Sequence, residues 1–194
     1  MTDLDAEKKQ LRKQAAAQRK IAFDAMPDAP QKIAQYHDII NSLYAPKSVA
    51  AYWPIRTEID PIPLMTALCE AGAIGCLPVT PEEGKPLVFH HWQIGAPLAD
   101  GPYNTKEPFG DTDVILPDVI LAPLLAFDKN CWRLGYGGGF YDRTLAALEE
   151  QGHHACIIGI AFDESEVARV PIGAYDKQLS AILTPSGLRR TIDK

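Results

Sequence analysis

The sequence predicts an α/β fold: a single domain whose central, largely parallel sheet is flanked by helices on both faces. Three observations predict it. Apolar runs such as Val119-Ile120-Leu121-Ala122 and Cys156-Ile157-Ile158-Gly159-Ile160 lack in/out alternation, the pattern of strands covered on both sides. At 194 residues the chain is long enough for one well-buried core and short for two. No internal repeat or low-complexity linker divides it.

Each element follows from local patterning. Residues 3 to 26 read as one helix rich in Lys, Arg, Gln and Ala, with Leu4, Leu11 and Ala15 near one face and Pro27 as its stop. A second helix is expected over 31 to 44, with Ile33, Tyr36, Ile40 and Leu43 as its apolar stripe before Pro46. Ser48 to Trp53 reads as a strand. Asp60 is a good N-cap and Pro61 suits the first position of a helix that runs to about Ala71, before Gly72. Further strands are expected at Ile74 to Pro78, Leu87 to Trp92, Val119 to Ala122, Ala155 to Phe162 and Ala181 to Thr184. A helix is expected from Tyr141 to Gln151, ended by Gly152. Eleven of the 16 prolines fall between Pro54 and Pro123, so the middle of the chain is loop-rich.

Composition narrows the function classes. The chain is 46% hydrophobic and 23% charged, which argues against disorder. A net charge of −6 argues against broad nucleic-acid binding, which needs a basic face to displace counterions. Cys69, Cys76, Cys131 and Cys156 form no C-x-x-C pair and read as reduced, mostly buried thiols. No apolar run reaches membrane-spanning length, and the charged stretch from Met1 to Lys20 has no signal-peptide core. The expectation is a cytoplasmic protein, a monomer, with neither membrane nor nucleic acid as partner.

The most informative segment is Arg133-Leu134-Gly135-Tyr136-Gly137-Gly138-Gly139-Phe140-Tyr141-Asp142-Arg143. Four glycines in five positions cost folding entropy, so something requires a backbone without Cβ atoms. The loop leads into a helix, whose open N–H groups and positive dipole end attract phosphate. Arg133 and Arg143 add charged donors, and Asp142 is a hard oxygen ligand suited to Mg²⁺ beside that phosphate. The P-loop pattern needs Gly-Lys-Ser/Thr at its end, and the dinucleotide fingerprint needs a glycine where Phe140 stands; neither fits. A tight strand-to-helix turn is the plain alternative.

This segment, preceded by Asp118-x4-Pro123-x3-Phe127-Asp128, resembles the signature of the 5-formyltetrahydrofolate cyclo-ligase (5,10-methenyltetrahydrofolate synthetase) family. Four further stretches resemble the family in order: Lys8-x2-Leu11-Arg12, Tyr52 to Asp60, Glu107-Pro108 and Pro171 to Pro185. The resemblance implies a single α/β domain that uses ATP and Mg²⁺ to convert 5-formyltetrahydrofolate to 5,10-methenyltetrahydrofolate.

It also implies roles. Lys8, Lys9, Gln10, Leu11 and Arg12 would bind ATP, and the four-residue spacing of Lys8 and Arg12 puts both on one helix face. Arg133, Leu134, Gly135, Tyr136, Gly137, Gly138, Gly139, Phe140 and Tyr141 would line its phosphates, with Tyr136 to Phe140 also facing the folate. Glu58 would accept hydrogen bonds from the pterin ring beside a wall formed by Trp53. Asp142 and Asp176 would hold Mg²⁺. No side chain is expected to act as a covalent or acid–base catalyst, because phosphoryl activation followed by internal attack asks mainly for positioning and charge stabilisation.

Asp60 reads as a helix cap and carries no substrate role. The pairs His90-His91 and His153-His154 read as non-catalytic: neighbours on a strand face opposite ways, and the second pair follows a helix end. Tyr175 stands where the family often has His, and Asp163-Glu164-Ser165 where relatives carry Gln, so no contact is assigned to either. Two other readings are a sugar-phosphate or coenzyme-A protein using the same loop, and a phosphate- or folate-binding relative without turnover. The joint presence of Glu58, Arg133, Asp142 and Asp176 with the basic helix separates the cyclo-ligase from both.

Overall fold

The computed structural model describes residues 3–191. Helix α1 (Asp3–Ala25) buries Ala15, Arg19 and Ala22 along one stripe. Next come α2 (Ala29–Ala34), α3 (His37–Tyr44), strand β1 (Ser48–Ala50), α4 (Ile62–Glu70), β2 (Ile74–Val79) and β3 (Val88–His91). A small hairpin follows, β4 (Ala99–Asp100) and β5 (Lys106–Glu107), then β6 (Val119–Pro123). A second hairpin, β7 (Ala126–Phe127) and β8 (Arg133–Leu134), leads to α5 (Phe140–Glu150). The chain continues through β9 (Cys156–Ile160), β10 (Ala181–Thr184) and β11 (Gly187–Arg190).

The seven-stranded sheet has the order β11-β10-β9-β6-β1-β2-β3. Its five central strands pair in parallel, and only the edges β3 and β11 run antiparallel. Both faces are covered. Val49, Val119, Leu121, Ile158 and Leu183 pack on Ile33, Ile40, Leu64 and Leu68 from α2 to α4. The residues between them, Ala50, Ile120, Ala122, Ile157 and Ile182, pack with Leu145 and Leu148 of α5. Successive side chains on a strand point to opposite faces, which is why the runs are apolar without alternation. Full burial of each large aliphatic side chain stabilises the fold by about 1.5–3 kcal/mol.

The connections position the site. From β1 the chain passes through α4 to β2 on one side; from β6 it passes through α5 to β9 on the other. The winding reverses between β1 and β6, and a crevice opens beyond the carboxyl ends of such strands.

Some expectations need correction. The helix expected over 31 to 44 is two helices. Gln35 and Tyr36 donate backbone N–H bonds to Lys32 and Ile33, three residues back, tightening the turn, while the His37 ring bonds the Ala34 carbonyl at 3.0 Å. The N-cap of α4 is Pro61 and not Asp60, which lies one residue further out and accepts the Ile62 N–H at 2.9 Å. The two hairpins and β11 carried no strand signal: the hairpin strands are two residues long, and β11 exposes two arginines. Among the described residues no helix is long and apolar enough to cross a membrane.

Candidate active site

Two cavities share the crevice. The larger, about 620 Å³, is lined by Tyr52, Trp53 and Glu58 after β1, Pro78 and Thr80 at the end of β2, and Glu107 of β5. The smaller, about 300 Å³, is lined by Lys8 and Arg12 of α1, Asp142 of α5, Asp176 and the whole run from Arg133 to Tyr141. Pro123, Tyr136, Gly138, Phe140 and Tyr141 line both. The glycine loop is therefore a partition with a face in each cavity.

Its geometry explains the glycines. Gly137 and Gly139 sit at φ +106° and +65°, where a side chain is strained, and a Cβ on Gly138 would come within 2.9 Å of the Phe140 ring. Gly135 differs: a Cβ there would meet nothing within 4 Å. Gly139 precedes α5 without a side-chain cap, so the helix's first-turn N–H groups lie where an anion is favoured. The loop is held from behind by the buried Asp128. Its carboxylate accepts N–H bonds from Asn130, Trp132 and Val170 at 2.9–3.3 Å and fixes the β7–β8 turn from which Arg133 projects.

The smaller cavity is rich in paired charge. Arg133 donates to the Lys177 carbonyl at 2.8 Å and to Asp142 Oδ1 at 2.7 Å, and that oxygen also accepts the Lys177 N–H at 2.9 Å. Lys8 pairs with Asp176, whose Oδ2 accepts the Gly173 N–H at 2.6 Å. Arg12 donates from Nε to the Gly135 carbonyl at 2.9 Å and lies beneath Gly137.

Not every expected contact converges here. Lys9 and Gln10 face solvent and Leu11 packs on the cluster under the second hairpin, because a helix turns about 100° per residue and, of these five, only Lys8 and Arg12 share the cavity face. Arg143, expected as a donor at the loop's far end, lines neither cavity. Its guanidinium bonds the Gly138 carbonyl at 2.8 Å and lies over the Phe140 ring. His90 and His153 bond the carbonyls of Thr112 and Pro117, away from both cavities.

The larger cavity is mostly apolar, with two buried carboxylates in its wall. Glu58 Oε2 accepts the Ile55 N–H at 2.9 Å, and Oε1 lies 3.9 Å from the Arg19 guanidinium. Burial pushes the Glu58 carboxyl above the ordinary carboxylate range, against the opposing pull of the Ile55 N–H and Arg19. Glu107 accepts the Thr80 N–H at 3.1 Å. Trp53 stands edge-on to Trp92 at 6.3 Å and presents a half-buried wall. The buried Tyr52 donates its hydroxyl to the Ile59 carbonyl at 2.6 Å, bracing the segment that carries Glu58.

The sequence model of the 5-formyltetrahydrofolate cyclo-ligase family matches residues 4–185, nearly the whole chain. The chain belongs to the 5-formyltetrahydrofolate cyclo-ligase family. A 5-formyltetrahydrofolate cyclo-ligase of Escherichia coli is 34% identical over 169 residues, covering 82% of this chain and 92% of its own. That of Mycolicibacterium smegmatis is 32% identical over 155 residues, covering 72% and 74%. The solved 5,10-methenyltetrahydrofolate synthetase of Aquifex aeolicus superposes with a TM-score of 0.74 at 26% identity, covering 96% of this chain and 94% of that one. The fold also matches the Mycoplasma pneumoniae synthetase, with a TM-score of 0.64 at 24% identity over 93% of this chain and 98% of that one. Like the relatives it matches, this cyclo-ligase family member is a ligase.

Several side chains of this candidate site escaped sequence reasoning. Glu107 was noted only as part of a dipeptide, yet it is buried in the cavity wall. Tyr103 reaches the cavity from the turn between β4 and β5, edge-on to Phe140 at 6.4 Å, with both Tyr103 and Asn104 at positive φ. Arg19 is 3% exposed and bonds the hydroxyl of Tyr136. A signal for Arg19 existed: it lies seven residues after Arg12, two helical turns along the same face.

Proposed function

We propose that the chain converts 5-formyltetrahydrofolate to 5,10-methenyltetrahydrofolate in an ATP- and Mg²⁺-dependent reaction. The observation that carries this reading is the shared partition: one glycine loop walls a small, charged cavity on one side and a larger, mostly apolar one on the other. ATP phosphates occupy the small cavity, where Lys8, Arg12, Arg133 and the N-terminus of α5 supply cationic and N–H donors. The pterin occupies the larger, where Glu58 accepts hydrogen bonds from its N–H donors and Trp53 forms the wall.

The chemistry needs that adjacency. A formyl amide is a poor electrophile. The formyl oxygen attacks the γ-phosphorus while the bond to the β-phosphate bridging oxygen breaks, releasing ADP. N10 then attacks the resulting imidate carbon, and the carbon–oxygen bond breaks to release phosphate, which carries away the N10 proton. The chain's contribution is to hold the formyl oxygen and the γ-phosphate across one partition, excluding water.

Asp142 and Asp176 fit Mg²⁺: two carboxylates line the phosphate cavity, the donor set that ion uses when phosphate oxygens and waters complete its shell. When bound there the ion would neutralise charge on the transferring phosphoryl group. Meanwhile Arg133 and the Lys177 N–H orient Asp142, and Lys8 orients Asp176. One continuous seven-stranded sheet supports a single domain, and four free cysteines suit a reducing cytoplasm.

The test follows the methenyl chromophore after mixing the protein with 5-formyltetrahydrofolate. Absorbance should rise only when ATP and Mg²⁺ are both present. A folded protein that gives no ATP-dependent signal would overturn the proposal.

A further inference from the structure

Arg19, 3% exposed, is the most deeply buried basic residue among the described residues. An Arg this deep carries a desolvation cost that persists only where its donors are matched. Here they reach three separate segments of the crevice. Nε donates to Thr57 Oγ1 at 3.1 Å, beside Glu58, and one terminal nitrogen donates to the Leu124 carbonyl at 3.2 Å, just past β6. The other bonds the Tyr136 hydroxyl, and the guanidinium lies 5.4 Å from the centre of that ring. The Glu58 carboxylate is 3.9 Å away. Lys8 and Arg12, on the same helix face, line the small cavity, whereas Arg19 lines neither and bonds Tyr136, which walls both.

We propose that Arg19 is a positioning residue that ties Tyr136 of the glycine loop to the Glu58 segment, so that the two cavities are held in one register. It touches neither substrate. Its planar fork fixes the Tyr136 ring, which walls both cavities, and its charge opposes protonation of Glu58, which must be ionised to accept from a ring N–H. The other groups facing Glu58 are Arg56, Tyr52, Tyr136 and Tyr141. Arg56 is exposed and the three phenols stay protonated, so Arg19 is the buried cation opposing protonation.

This inference rests on the cyclo-ligase reading, and its test separates the two. Arg19→Gln should raise KM for 5-formyltetrahydrofolate by about tenfold or more, the loss expected for bonds to a charged group. It should also move the acid limb of kcat/KM to higher pH. Arg19→Lys keeps the charge but cannot reach three acceptors, so KM should rise while the acid limb stays near the wild-type position. A ¹³C carboxyl titration of Glu58 reads the charge effect without turnover: its midpoint should rise in Arg19→Gln and hold in Arg19→Lys. An unmoved Glu58 titration, or an unchanged folate KM in folded Arg19→Gln, would overturn the inference. If Arg19→Gln does not fold, Thr57→Val removes one acceptor at a half-buried position. It should raise the folate KM two- to threefold, on the order of one neutral hydrogen bond, and an unchanged KM would overturn the inference equally. Wild-type protein that shows no ATP-dependent signal counts against the cyclo-ligase reading alone.

Discussion

The two cavities on either side of the glycine loop handle charge in opposite ways. In the smaller one Asp142 and Asp176 are matched close by: Asp142 by Arg133 and a backbone N–H, Asp176 by Lys8 and another. In the larger one Glu58 is held where burial outweighs its partners, so its charge is costly. One side has matched charges that a polyanion with its counter-ion can replace. The other keeps a carboxylate under-satisfied, ready for a ligand that brings its own N–H donors. One partition thus separates a site of close ion pairs from one whose carboxylate is ionised only at a cost in burial.

The comparison can be broken from the small side first. Asp142→Asn keeps an oxygen for Arg133 and the Lys177 N–H, so the fold should survive, but it removes a full negative charge from the proposed metal position. Turnover should fall by about 100-fold or more, the scale of losing one charge-stabilising group, or demand far more Mg²⁺. An Mg²⁺ titration of initial rates checks this, and an unchanged profile would remove Asp142 from the metal site. Gly135→Ala is a gentler probe. Its Cβ meets no protein atom within 4 Å, so thermal stability should hold while the methyl group intrudes on the phosphates. KM for ATP should rise about tenfold, roughly 1.4 kcal/mol, with the folate KM unchanged; a higher folate KM alone would put Gly135 on the wrong side.

The smallest effect lies on the large side and concerns stability. The Glu58 carboxyl titrates higher in the folded chain than when unfolded, so the folded state loses stability as pH rises through that interval and bears the whole cost above it. Glu58→Gln should therefore raise the melting temperature at neutral pH. The gain should fade as pH falls below the ordinary carboxylate range, where both states of the wild-type residue are protonated. Melting curves across pH check the sign. A lower melting temperature at neutral pH would show that Glu58 is over-compensated by Arg19 and its N–H partner.

The sheet was legible because its central strands must be apolar on both faces, and β10 matches its expected bounds of Ala181 to Thr184. Strand edges and hairpins were not legible, since β4, β5, β7 and β8 owe their pairing to tertiary position and not to a run of apolar residues. The same division holds for the site. The glycine loop announces itself because missing Cβ atoms are a local demand, and three of its glycines do face close neighbours or positive φ. Glu107 and Tyr103 share a cavity wall with Tyr136, the partner of Arg19, only when the sheet brings their segments to one crevice. Arg19 was further hidden in a helix with many charged residues, most of them exposed.

The ion pair between Lys8 and Asp176 joins positions 168 residues apart. A contact so remote along the chain sets a schedule for folding. The partner of Lys8 across the smaller cavity is expected to be reached late, after the strands that order the crevice have closed the long loop between them. Until then Lys8 has no Asp176 to meet, and the small cavity lacks a wall. Ligand competence should therefore arrive late and all at once in a refolding reaction, behind the burial of the sheet.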